Sequence, residues 1–172
     1  MTPEQAFAIV IGTEGGFDAD PRDRGNWTGG QIGVGKLSGT KFGISAAAYP
    51  TLNIADLTQA DAIGIYRMRY WLPAACDLLP DGLDLVVFDA AVNSGVDRSA
   101  RWLQRSVGAQ EDGLPGTATV AAVQRAVQAQ GLGAVAAATT AERLLAMTEM
   151  PAWATYRRGW ARRVCALGWR AH

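Results

Sequence analysis

Histidine is all but absent from this 172-residue chain; the only one is His172, at its end. Zinc amidases and zinc peptidases need clustered His ligands, and Cys-His or Ser-His-Asp hydrolases need a His base. A lone terminal histidine suits none of these, so carboxylate chemistry remains. Cysteine is scarce as well. Cys76 and Cys165 are the two present, and in a chain without a secretory leader they are expected to stay reduced. No positively charged leader with an apolar core precedes the first helical segment. No apolar run approaches the roughly eighteen residues that span a bilayer. These absences predict cytoplasmic synthesis without a cleaved signal. Net charge is also missing, since 16 Lys and Arg balance 16 Asp and Glu. Nucleic acid is a poor partner, because most of the chain is not basic and no recognition motif occurs. The balance is uneven, however. Residues 87–172 carry the basic excess, gathered in Arg157, Arg158, Arg162, Arg163 and Arg170. Such a segment is either a solvated helix face or a weak contact for an anionic wall or membrane surface.

β-Branched runs are few and alanine is the commonest residue, which predicts a mainly α protein. Thr2, Pro3 and Gln5 form a helix start, and Phe7, Val10 and Ile11 follow at helical spacing. Gly15 and Gly16 are expected to stop that helix. Gly-rich turns with alternating Ile32 and Val34 predict one small β-hairpin. Thr58 and Asp61 cap a helix reaching Trp71. Leu83–Asn93 is apolar all round and is expected to be a central helix. Asp97 opens the next. Asp112-Gly113-Leu114-Pro115-Gly116 is a turn, Thr117 caps a helix to about Gln130, and a last helical stretch covers roughly 134–167.

The richest segment is Glu14-Gly15-Gly16-Phe17 with Asp23 nine residues after the glutamate. A carboxylate in the last turn of a helix faces the negative end of the dipole, which favours its protonated form. A protonated acid beside a glycine loop is what glycoside cleavage asks of a general acid. Glu14 as a plain surface acid and Asp23 as a plain turn residue are the blander alternatives. Asp89 and Asn93, one turn apart in an apolar helix, must find hydrogen bonds. Asn93 is assigned to substrate binding and Asp89 to a structural role. Tyr70 and Trp71 are either core aromatics or faces on which a sugar ring stacks.

Glu-Gly-Gly-Phe, the Asp23-Arg24-Gly25 triplet and Thr40-Lys41-Phe42-Gly43-Ile44-Ser45 resemble glycoside hydrolase family 108, the N-acetylmuramidases of phage-type endolysins. The family's usual form has Tyr where this chain has Phe17, and runs Asp-x-Gly-Gly-x-Thr directly into x-x-Gly-Ile. Here residues 26–39 intervene. Thr28 and Thr40 therefore compete for the family threonine's place, and the Gly43-Ile44 spacing favours Thr40. Phe88-Asp89-Ala90-Ala91-Val92-Asn93-Ser94-Gly95, Trp102-Leu103-Gln104, Asp112-Gly113 and Gly159-Trp160-x-x-Arg163 resemble the family's predicted peptidoglycan-binding segment.

The resemblance implies a lysozyme-like, mainly helical fold with the hairpin near the active site. It implies a catalytic part over 1–94 and a peptidoglycan-binding part over 95–172, packed as one unit. It implies hydrolysis of the β-1,4 MurNAc–GlcNAc bond, with Glu14 as acid, Asp23 and Thr40 as catalytic partners, and Tyr70, Trp71 and Asn93 on the substrate. Peptidoglycan is the expected partner, without metal or cofactor, and the enzyme is expected to be a monomer that reaches the wall through a membrane pore. A lytic transglycosylase, or a non-catalytic wall-binding or secretion-associated protein, are the alternatives.

Overall fold

Helix α1, Pro3–Val10, forms because Thr2 and Gln5 close a reciprocal cap: the Thr2 hydroxyl accepts from Gln5 N, and Gln5 Oε1 accepts from Thr2 N at 3.0 Å. The computed structural model describes residues 1–12 and 16–170, the side chains of 168–170 aside. Glu14 and His172 lie outside the described residues. The described residues form two compact units, Thr2–Tyr66 and Arg67 onward together with Met1.

In the first unit α1 buries Ala6, Phe7 and Val10. It ends earlier than the Gly15-Gly16 pair implied. Ile11 caps it, and Gly12 follows at φ +88°, a left-handed backbone that favours glycine. Helix α2, Gln59–Tyr66, starts as expected: Asp61 accepts from Thr58 N and Oγ1, and Asp61 N donates back to Thr58. Phe7 packs edge-on against Tyr66, ring centroids 5.5 Å apart. Burying a Phe is worth about 1.5–3 kcal/mol, so this contact fixes α1 against α2 more firmly than any cap.

The β-hairpin is present but displaced. Its strands are β1, Thr40–Lys41, and β2, Ile44–Ser45, antiparallel with Thr40 opposite Ser45. Ile32 and Val34, expected to alternate within it, are exposed loop residues. The Tyr66 hydroxyl donates to the Phe42 carbonyl at 3.1 Å, tying the hairpin turn to α2.

The second unit is helical. After a π turn at Arg67–Trp71 and a 3-10 turn at Cys76–Leu78 come α3 (Leu83–Ser94), α4 (Val96–Ser106), α5 (Thr117–Gln130), α6 (Leu132–Thr148) and α7 (Trp153–Arg170). As its composition predicts, α3 is central: Leu83 through Ala91 are all buried, and α4, α6 and α7 pack around it. The single last stretch expected over 134–167 is two helices. Pro151 lies in the break between them, where a missing N–H and the ring's bulk oppose a continuous helix.

Both cysteines are free; Cys76 is buried, which pushes its thiol pKa up, and Cys165 is exposed. Among the described residues no helix is long and apolar enough to cross a membrane. The border between units at Tyr66/Arg67 is one of contacts. Residues on both sides of the 94/95 division, α3 and α4, pack together in one unit.

Candidate active site

Asn26 organises the acidic loop of the first unit. It is fully buried, and its amide reaches three ways. Nδ2 donates to the Asp18 carboxylate and to the Asp20 carbonyl, both at 3.1 Å. Oδ1 accepts from Thr40 Oγ1 at 2.6 Å. Asp18 and Thr40 also exchange both backbone bonds, at 2.9 and 2.7 Å. A buried amide with its polar atoms paired resists displacement, because each lost partner leaves a desolvated group costing about 1–3 kcal/mol. The hydroxyl of Thr40 is therefore fixed in orientation, not only in position.

Asp23 belongs to the same turn. It caps the 3-10 turn Arg24–Asn26, its Oδ1 accepting from Gly25 N at 2.8 Å while its carbonyl accepts from Asn26 N. The carboxylate is otherwise open to solvent. Asp23 is thus a turn residue and an available carboxylate at once. Asn26 connects it to Thr40, through its own N–H on one side and its side chain on the other.

Residues 26–39 loop out and come back. The Asn26 carbonyl accepts from both Ser38 N and Gly39 N, Trp27 bridges Leu37, and Thr28 N donates to Lys36 O. The excursion is pinched at its base, so Thr40 is returned beside Asn26. Thr28 is spent inside the loop, its Oγ1 accepting from Lys36 N at 2.8 Å. Gly39 permits the return. At φ +81°, a Cβ there would lie 2.4 Å from the Phe17 ring and 2.6 Å from the Asp18 carbonyl. Phe17 covers this glycine with half its surface exposed.

In the second unit the expected substrate residues separate. Trp71 has no free face: it is 1% exposed, stacks edge-on with Phe88 at 5.4 Å, and donates Nε1–H to Asp77 at 2.6 Å. It is a core residue, which corrects its assignment to substrate binding. Tyr70 is half-buried, with the Arg69 guanidinium 5.8 Å from its ring centre. Asn93 is exposed at the end of α3 and donates to the Asp89 carbonyl at 2.8 Å. Asp89 is structural, as its setting implied. It is fully buried and accepts from Arg143 Nη1 at 2.6 Å and from Arg163 Nε at 2.9 Å. Arg163 therefore leaves the solvated arginine face, of which Arg157, Arg158 and Arg162 are exposed members.

The other shared pattern is structural too. Gln104 is buried and donates to Asp112, the Leu114 carbonyl and Thr119, while Gly113 N donates to its Oε1. One side chain thus closes the 112–116 turn onto α4 and α5. The Leu114 N–H, then Gln104, hold the Asp112 carboxyl below its usual pKa. Sequence reasoning missed Asn26 and Asp18. The available signal was an Asn in a glycine loop, a residue that closes turns through its amide. Among the described residues no group of three His, Cys, Asp or Glu could hold a metal.

These features define a lysozyme-like, mainly helical fold with a small hairpin beside an acidic loop. Residues 7–95 match the family model described as Glycosyl hydrolase 108. The fold is similar to the solved structure of SagA of Brucella abortus, with 30% identity and a TM-score of 0.76, over 98% of this chain and 92% of that one. No curated protein matches. The chain belongs to glycosyl hydrolase family 108. It is a glycoside hydrolase, and peptidoglycan is the substrate that membership implies.

Proposed function

We propose that this hydrolase is an endolysin-type N-acetylmuramidase that cleaves the β-1,4 MurNAc–GlcNAc bond. Glu14 protonates the leaving oxygen. Asp23, with Thr40, holds the attacking water or stabilises positive charge on the sugar ring. Tyr70 and Asn93 contact the glycan. The observation that supports this reading is the bracket of Asn26. It closes the 26–39 loop, its side chain accepting from Thr40 Oγ1 and its N–H donating to the Asp23 carbonyl. The enzyme is made in the cytoplasm and meets the wall after passing a membrane pore.

Mass spectrometry of purified peptidoglycan after digestion tests the reading. Hydrolysis leaves reducing MurNAc ends. Anhydro ends would identify a transglycosylase, and undigested walls a binding protein. Within the same assay Asp23→Ala is expected to lose roughly 10²-fold or more in rate, the scale of a positioned acid or base. Its pull-down on sacculi should be unchanged. Normal turnover would reduce Asp23 to a turn residue.

Arg157, Arg158 and Arg162 attract an extended anionic surface, whereas the site holds one bond. Their joint replacement by Gln is expected to weaken attachment to intact walls more than cleavage of short soluble glycans. The difference should vanish at high salt, as the Debye length falls from about 10 Å at 0.1 M to about 3 Å at 1 M. Arg163 is left in place because it holds Asp89. Equal loss on both substrates would mean the segment serves the fold instead.

A further inference from the structure

The antiparallel bridge between Asp18 and Thr40 sets their two side chains on one face, since directly opposed residues project together. The buried Asn26 amide spans them. Its nitrogen decides which way round that amide sits. Nδ2 has two N–H bonds, and both are spent, on the Asp18 carboxylate and the Asp20 carbonyl. Both partners are acceptors. Turning the amide over would set its oxygen against two other oxygens, an arrangement that buried polar groups avoid. Oδ1 must therefore face Thr40, and an amide oxygen carries no proton. The proton between them belongs to Thr40, whose Oγ1 donates at 2.6 Å.

A threonine hydroxyl has one proton and two lone pairs. With the proton committed to Asn26, Oγ1 has only acceptor capacity left, and among the described residues no group donates to it. Such an oxygen repels a sugar carbonyl or a carboxylate and receives an O–H or N–H. Asp23 is a second acceptor. Its Oδ1 takes the Gly25 N–H, and its carboxylate is otherwise open to solvent. Asn26 ties both acceptors to one turn, through its N–H to the Asp23 carbonyl and its side chain to Thr40. Two acceptors suit a molecule with two protons to offer, and water is the smallest.

We propose that Asp18 and Asn26 are positioning residues: they make Thr40 Oγ1 an acceptor for one O–H of the attacking water, whose other O–H faces Asp23. Their role rests on the proposed muramidase reading, and it assigns Asp23 and Thr40 to the water rather than to charge on the sugar ring. In that step the water oxygen bonds to the anomeric carbon as the bond to the leaving oxygen breaks. Glu14 gives the leaving oxygen its proton, and Asp23 takes one from the water. Thr40 keeps its own proton, directed at Asn26, throughout.

Steady-state kinetics on soluble, uncrosslinked peptidoglycan strands test it, because a group that holds the water acts on kcat and a group that only binds sugar acts on KM. Thr40→Val keeps the shape and removes the hydroxyl. Its kcat is expected to fall at least about tenfold with KM within about twofold, while Thr40→Ser keeps most of the rate. Asp18 is exposed, so its variants should fold, as circular dichroism would show. Asp18→Ala frees one Asn26 N–H and lets the amide turn. Its kcat should fall at least about threefold at unchanged KM, the scale of one hydrogen bond. Asp18→Asn should restore the rate, since its amide oxygen still accepts from Asn26. Thr40→Val with a raised KM and an unchanged kcat overturns the proposal, because the hydroxyl then meets the sugar. So does Asp18→Ala at the wild-type rate, or Asp18→Asn as slow as Asp18→Ala. While the wild type leaves reducing MurNAc ends, any of these results removes this inference alone. Anhydro ends or undigested walls from the wild type would remove the muramidase reading, and this inference with it.

Discussion

Glu14→Gln is expected to abolish wall lysis while leaving the melting temperature within a degree or two of wild type. Glutamine keeps the shape and the acceptor oxygen of glutamate but has no proton to deliver. Departure of a sugar alkoxide without protonation is slow, and a positioned general acid contributes on the order of 10²–10⁴ in rate. Histidine offers little in its place, since His172 is the single one in the sequence. Binding to sacculi should persist, because the acid acts on the transition state rather than on the ground state. A folded Glu14→Gln protein with more than about a tenth of normal activity, well above the 10²-fold floor for general acid catalysis, would take the acid role away from Glu14.

The largest effect on stability is expected from Asp89→Ala. Asp89 is fully buried and Arg143 nearly so, with Arg163 half-exposed on the same carboxylate. Removing the acid leaves Arg143 charged, buried and without its counter-ion. Breaking one partner of such a pair costs about 3–5 kcal/mol, whereas an exposed pair is worth about 0–1 kcal/mol. In a chain of this size each kcal/mol moves the melting temperature by about 2–4 °C. The expected loss is therefore on the order of 10 °C by calorimetry, in the transition of the unit that holds α3, α6 and α7. Asp89→Leu combined with Arg143→Met should recover most of it, since a buried pair replaced by apolar groups of similar volume is often neutral or better. A shift under about 2 °C for the single variant would mean that the pair contributes no more than an exposed one.

The sequence by itself determined the local elements and the class of chemistry. The Thr2–Gln5 and Thr58–Asp61 caps, the turn around Asp112 and the buried character of α3 are all near-neighbour effects, written in spacings of a few residues. The scarcity of histidine excluded the commonest hydrolytic sites without any structure. Asp23 was legible both as a turn former and as a carboxylate, and it is both.

What the sequence could not decide depends on partners far along the chain. Five arginines crowd the last segment, and periodicity alone does not say which one turns inward. Arg163 does so because Asp89, 74 residues earlier, is buried where α7 crosses α3. Burial of a charge is favourable only once packing brings its partner within bonding distance. The hairpin was misplaced for the same reason. Ile32 and Val34 alternate as a strand would, yet no sheet face covers them, so they stay in an exposed loop. That loop is closed by one buried amide, Asn26, whose partners Asp18 and Thr40 stand on either side of it in sequence. Trp71, equally suited to a sugar or a core, was settled by Phe88 and Asp77. Local spacing named the candidates; desolvation in the packed structure chose among them.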